Sequence, residues 1–469
     1  MSCATVMDEL IRRSACDIVA LLGSGEIGID ETLDALESRI AAVDGGINAL
    51  PTLCFERARE QARKRDFGGT PLAGIPVAIK DLEDVAGVRT TYGSRVYEQH
   101  VPESSDLVVE HIEARGGIVY AKSNTPEFGS GANTFNDVFG ATRNPYDKHL
   151  SAGGSSGGAA AALASGTAWL AQGSDLGGSL RTPASYCGVT SLRPSPGTIA
   201  RPPGMQPFEV YSQKGPMART VADLALFADA MAGADTRAGL CKPHVDGAFR
   251  DAAARPRKPL SMAWSPDLGI AGTSAEVVEA CSAAIARLER DGIAIEAAHP
   301  DLSMADRAFD APRALDYAAS FGPDLDAIRA LIKPENAWNI EKGLELTNAE
   351  ILDSMRAQGE VFTNASRFMT DFDLLVCPAS IVPPFPVEER FPGHGDGLDY
   401  SQYYRWLAIV YAITVTTLPV ITLPCGKTAS GLPVGLQLIG KPHGEIELFS
   451  AASYLEPLFA WDPLQRIDA

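Results

Sequence analysis

Histidine is scarce in this 469-residue chain: there are seven, and none lies between His149 and His244. A nucleophilic hydroxyl in that interval would have to find its base elsewhere. HExxH is absent, no two histidines stand at metal-ligand spacing, and no lysine follows the glycines as a P-loop requires, so metal hydrolysis and phosphoryl transfer lose support. Eight cysteines are scattered from Cys3 to Cys425 without a CxxC. In "DLLVCPAS" and "ITLPCG", Cys377 and Cys425 end apolar runs, where cysteine packs as a small buried hydrophobe. The set reads as reduced thiols of a cytoplasmic protein. No apolar run reaches the roughly 18 residues of a membrane span. The segment "MSCATVMDELIRRSACD" is too acidic, and its apolar stretch too short, for a signal peptide. Basic charge is also in deficit: 40 Lys and Arg stand against 59 Asp and Glu, a net charge of −19. The longest basic cluster is "RKR" (Arg63 to Arg65), which argues against a nucleic-acid surface and leaves solubility as the reading of the acidity.

What is present is 45% hydrophobic residues and 44 glycines, the composition of a globular α/β protein with many tight turns. No repeat and no clean linker divides the chain, so a single domain over residues 1–469 is expected. Residues 6–43 read as two amphipathic helices around "GSGEIG", with Asp30 as the N-cap of the second. Gly23 to Gly28 formally match GxGxxG, but a helical segment precedes them where a dinucleotide site needs a strand, so they read as a break between helices. From Leu72 onward, "LAGIPVAIKD", "GGIVYAKSNTP" and "GTAWLAQGSD" read as strands, and "DFDLLVCPAS" and "TLPVITLPCG" return to strand character later. Alternation of these runs with helices predicts a large mixed, mainly parallel central sheet covered by helices on both faces. A helical region at about 300–400 is expected to cover a site.

Three stretches carry chemistry. Lys80 ends the apolar run "IPVAIK"; burial there would drive its amine toward neutrality and make it a base, unless it reaches solvent past the strand end. Ser155 lies in "GGSSGG", which fits the GxSxG nucleophile elbow and also an ordinary glycine-rich cap on the alanine run that follows. In "GSDLGGSLR", consecutive glycines before Ser179 let backbone N–H groups converge as in an oxyanion hole, or simply make a turn.

Together, "GIPVAIKD", "KSNTPEFGSGANTFNDVFGATRNPYD", "SAGGSSGGAAAALASG", "GSDLGGSLRTPASYCGVTSLRPS" and the late "GLPVGLQLIG" resemble the amidase signature family of serine hydrolases. The likeness is dense over about 70–220, and its two serines stand 24 residues apart, as the family requires. The resemblance implies a sheet of about eleven strands and a Ser–cis-Ser–Lys triad: Ser179 as nucleophile, Ser155 as bridge, Lys80 as base. It further implies an oxyanion hole at Leu176, Gly177, Gly178 and Ser179, loop-fixing roles for Ser174, Asp175 and Arg181, and an acyl pocket at Phe128, Gly129 and Ser130. The partner implied is a small-molecule amide, without cofactor, metal, nucleic acid or membrane, and a homodimer is the candidate assembly. The A-type subunit of the glutamyl-tRNA amidotransferase shares the triad but carries an Asp-Glu-Phe run where this chain has "TPEF". Trp338, Tyr403, Tyr404 and Trp406 are the aromatics expected to suit aryl or anilide substrates. A rival reading makes Ser155 the nucleophile of an α/β-hydrolase with His394 or His443 as its base.

Overall fold

Every residue from Ile75 to Lys80 is buried, so the run shows no alternation of apolar and polar positions and behaves as an interior strand. The computed structural model describes residues 3–201, 206–393, 401 and 403–467. Its strands are β1 (Thr52–Leu53), β2 (Pro76–Lys80), β3 (Ile118–Ser123), β4 (Phe135–Asn136), β5 (Gly140–Ala141), β6 (Leu170–Asp175), β7 (Thr190–Arg193), β8 (Gln213–Ala218), β9 (Ser261–Trp264), β10 (Ala294–Ala297), β11 (Leu374–Pro378), β12 (Val420–Lys427) and β13 (Pro433–Ile439). Eleven form one mixed sheet in the order β1-β3-β2-β6-β8-β7-β12-β13-β11-β9-β10, and β4 pairs with β5 alone. Parallel pairing holds β3, β2 and β6 together, and likewise β11, β9 and β10. Between these flanks, from β6 through β8, β7, β12 and β13 to β11, neighbours are antiparallel, as are β1 and β3. Most central strands are buried along their length, so composition does not reveal their direction.

Helices pack on this sheet. Gly157–Ser165 lies on β6, Arg181–Cys187 on β12 and β13, and Ala275–Arg290 on β12. The N-terminal region holds three helices, not two: Cys3–Arg12, Ala15–Ser24 and Ile29–Val43. The missed break is a capping box, in which Ser14 Oγ accepts from Asp17 N at 3.0 Å and Asp17 Oδ2 accepts from Ser14 N at 3.3 Å. The glycine-rich break after the second helix is as expected, with Gly25 at φ 74° closing it. The third helix is capped at Gly28, whose N–H donates to Glu31 Oε2 at 2.7 Å, and Asp30 sits inside the first turn. Cys377 and Cys425 are fully buried. Among the described residues no helix is long and apolar enough to cross a membrane.

The sheet positions the site. Lys80 and Asp175 end the parallel neighbours β2 and β6, whose register pairs Val77 with Leu170 and Ala78 with Ala171. Their carboxyl ends therefore open on the same edge, where loops of α/β sheets gather functional groups.

Candidate active site

The alanine run is a helix because small side chains let it sit inside the protein. All residues of Gly157–Ser165 are buried, and a Cβ on Gly158 would lie 2.3 Å from the backbone nitrogen of Asn124. The turn ahead of it carries a cis peptide bond between Gly154 and Ser155. This turn delivers Ser155 to Lys80: Nζ lies 2.7 Å from Ser155 Oγ, 2.9 Å from Ser156 Oγ and 3.0 Å from Ser174 Oγ. Ser156 Oγ also donates to the Ser174 carbonyl at 3.3 Å, so toward Lys80 it acts as acceptor. All three contacts run with Nζ as donor, so three hydroxyl oxygens satisfy its hydrogens.

Lys80 is 0% exposed, which removes the alternative of a side chain reaching solvent. Burial, the largest influence, pushes its ammonium down to about 7; the Glu83 and Asp175 carboxylates pull it up and Lys214 pushes it down. Glu83 follows in the turn after β2, its N–H on the Lys80 carbonyl at 3.0 Å and its buried Oε1 taken by Lys214 Nζ at 2.5 Å.

Ser179 sits in the loop between β6 and the Arg181–Cys187 helix, half-buried, and lines the same cavity as Ser155. Its carbonyl accepts from Ser156 N at 3.1 Å, so the two serine loops are joined backbone to backbone. Asp175 shapes the Ser179 loop, accepting from Gly178 N at 2.9 Å and Leu180 N at 3.0 Å. This corrects one expectation: the Gly178 N–H, expected among the oxyanion donors, is committed to Asp175 Oδ1. The N–H groups of Leu176, Gly177 and Ser179 make no hydrogen bond to protein among the described residues. Gly178 has φ 111°, and a Cβ there would lie 2.4 Å from Val410 Cγ2, so only glycine fits.

Arg181 secures Asp175 from the other side. Nε and Nη2 donate to the carboxylate at 3.0 and 2.9 Å, Nη1 to the Val410 carbonyl and Gln437 Oε1 at 2.7 Å each, and Nη2 to Thr414 Oγ1 at 2.8 Å. All five guanidinium hydrogens are thereby used. Arg193 Nη1 adds a contact to Asp175 Oδ1 at 3.2 Å. Burial would raise this carboxyl, but the two guanidinium groups outweigh it and hold Asp175 well below the ordinary carboxylate range.

The cavity beyond the serines is about 160 Å³. Phe128, Gly129 and Ser130 line it, as does Leu82. Phe128 has φ 54° and stacks on Phe321 at 4.2 Å. Of the four aromatics expected at the wall, Tyr403 and Tyr404 line the cavity, and Trp338 and Trp406 do not. Trp406 instead donates from Nε1 to the Tyr403 carbonyl at 3.1 Å and stands edge-on to Phe385; Trp338 stands edge-on to Tyr403 at 6.2 Å. The helix Ala305–Phe321 contributes Phe309, Arg313, Asp316, Tyr317 and Phe321, all unforeseen. Four of these recur at i, i+4 spacing, the signal that marks one helix face.

No described residue lining the cavity is a histidine. His443 is exposed, its ring 3.4 Å from Lys242 Nζ, and His394 lies outside the described residues.

Comparison with known proteins agrees with this geometry. Residues 31–449 match the Amidase family. The chain is 32% identical to an acylamidase of Rhodococcus erythropolis over 97% of both chains. It is 35% identical to the A-type subunit of the glutamyl-tRNA(Gln) amidotransferase of Moorella thermoacetica, covering 96% of this chain and 97% of that one. Among solved structures, a bacterial aryl acylamidase of the amidase signature enzymes superposes with a TM-score of 0.89 at 25% identity, covering 97% of this chain and 98% of that one.

Proposed function

The chain belongs to the amidase signature family and hydrolyses carboxylic amides, and from that premise we propose that Ser179 is its nucleophile, Ser155 its proton relay and Lys80 its base. The observation that carries this is the 2.7 Å contact between a wholly buried Lys80 Nζ and Ser155 Oγ. Neutral Lys80 takes the Ser155 proton as Ser155 takes that of Ser179, and Ser179 Oγ bonds to the carbonyl carbon. The N–H groups of Leu176, Gly177 and Ser179 receive the oxygen as it gains charge. The proton returns through Ser155 to the leaving nitrogen, the C–N bond breaks, and water repeats the sequence on the acyl-serine. The continuous eleven-stranded sheet supports reading the chain as one domain, with the Ala305–Phe321 helix as the cover of its site. Seven free cysteines among the described side chains support a reducing, cytoplasmic setting.

Phe309, Tyr317, Tyr403 and Tyr404 at the cavity wall favour aryl amides, anilides in particular. Aromatic pairing contributes about 0.5–1.5 kcal/mol beyond burial, so kcat/KM for an acyl anilide is expected to exceed that for a short aliphatic amide by roughly tenfold. A hydrolysis panel of the purified chain tests this, and faster cleavage of aliphatic amides would overturn it. Glutamine belongs in the panel: release of ammonia from it ahead of every anilide would favour the amidotransferase reading.

The profile of kcat/KM against pH is expected to rise with its half-point near 7, because Lys80 must shed its proton to serve as base. Glu83→Gln should move that limb to lower pH, since the Glu83 carboxyl, itself pushed up to about 7 by burial, favours the ammonium form wherever it is ionised. A limb unmoved, or moved upward, would contradict the coupling.

A further inference from the structure

Asp316 is a carboxylate without a partner. It sits on the Ala305–Phe321 helix, half-buried, lining the cavity that Ser155 and Ser179 share. No hydrogen bond and no ion pair reaches its half-buried carboxylate among the described residues. The charged groups around it have other partners, although the buried Arg313 Nε has none among the described residues. Arg201 Nη1 donates to Glu209 Oε2 at 2.7 Å, and Lys214 is held by Glu83. Arg313, one turn back, donates to Tyr403 OH at 3.0 Å and to Asp310 Oδ1 at 3.4 Å, its guanidinium 4.0 Å over the Tyr404 ring. Ser212 lines the same cavity, and its hydroxyl also makes no hydrogen bond among the described residues. Aromatic rings complete the surroundings: Phe309, Tyr317 and Phe321 come from the same helix.

We propose that Asp316 selects substrates that carry a protonated amine at a distance from the scissile amide, the ammonium donating to its carboxylate and to Ser212 against the aromatic wall. The proposal rests on the amidase reading and narrows its substrate class. An ammonium meets three needs of this cavity at once: it pairs with an anion that has no hydrogen-bond or ion-pair partner among the described residues, it donates to a hydroxyl with none, and it is attracted to ring faces. Burial, with Glu209 adding to it and Arg201 and Lys214 opposing, pushes the carboxyl up to about 6, so it is ionised at mildly alkaline pH.

Isosteric substrate pairs test the proposal at about pH 8, where an aliphatic amine is protonated. On the acyl side the pair is 4-aminobutyryl and pentanoyl p-nitroanilide. On the amine side it is N-(4-aminomethylphenyl)acetamide and N-(4-ethylphenyl)acetamide. In one pair the amino member is expected to have a kcat/KM about tenfold or more above its neutral partner, carried by KM. Asp316→Asn should bring that ratio to about one, and since both members are measured on one preparation, the ratio is independent of the folded fraction. Equal treatment within both pairs by the unmodified protein, or a preference that survives Asp316→Asn, would overturn the proposal. Failure to cleave any of the four compounds at all would count against the amidase reading itself.

Discussion

Ser179→Ala should lower kcat/KM for every amide substrate by about a thousandfold or more, while the thermal midpoint stays within about 2 °C of the unmodified protein. The two halves of this result have separate causes. Activity is lost because no other hydroxyl on this loop faces the cavity beside N–H groups left open by the fold. Stability is retained because the Ser179 hydroxyl makes no hydrogen bond among the described residues, so its removal leaves nothing there unsatisfied. Ser155→Ala is expected to differ: it also removes the 2.7 Å partner of a fully buried amine. Labelling with a sulfonyl fluoride and peptide mass mapping checks the assignment directly. An adduct on Ser155, or turnover that persists in Ser179→Ala, would transfer the nucleophile's role away from Ser179.

Asp175→Asn should destabilise the protein by about 3–5 kcal/mol, the range found when one partner of a buried ion pair is removed. Five donors converge on this carboxylate: two backbone N–H groups, two from Arg181 and one from Arg193. Asparagine keeps the outline but turns a donor of its own toward them and leaves two interior guanidinium groups without an anion. Burial already pushes Arg193 down to about 10 even with Asp175 present. Because the Asp175 carboxyl is depressed by folding, its contribution is complete above the unfolded carboxylate pKa of about 4 and is lost as pH falls through the folded value. The difference between the two proteins should therefore be full at neutral pH and shrink only in strong acid. Urea denaturation gives the measurement, with the midpoint lowered and the slope unchanged. A loss below about 1 kcal/mol would mean that the cluster is not held by charge.

How much of this was legible before the coordinates depends on whether a residue acts through its place in the chain or through its direction in space. Lys80, Ser155 and Ser179 stand in short, distinctive stretches, and the structure places the two serines on one cavity with Lys80 buried behind Ser155. The fate of the Gly178 N–H was not legible, since the same "DLGGS" permits a donor aimed at a ligand or at the Asp175 carboxylate three residues back. The break at Ser14 was hidden because aspartate, rather than glutamate or glutamine, closes the capping box there. Phe309, Arg313, Tyr317 and Phe321 were readable in principle, being spaced by four, but a helical stripe of that kind is more often core than pocket wall. Trp338 and Trp406 show the converse: large aromatics near the site that pack behind the cavity-lining tyrosines. Asp316 carries no local signature at all, because its isolation is a property of what other elements keep for themselves.

Arg181 reaches from the Ser179 loop to the Val410 carbonyl and Gln437 Oε1, positions more than two hundred residues further along the chain. Synthesis reaches Lys80, Ser155 and Ser179 well before it reaches the seat on which the Ser179 loop rests. A polypeptide still emerging from the ribosome thus lacks the helix Ala408–Thr416 and strand β13 that hold Arg181, and the Ser179 loop gains its full support only when both are in place.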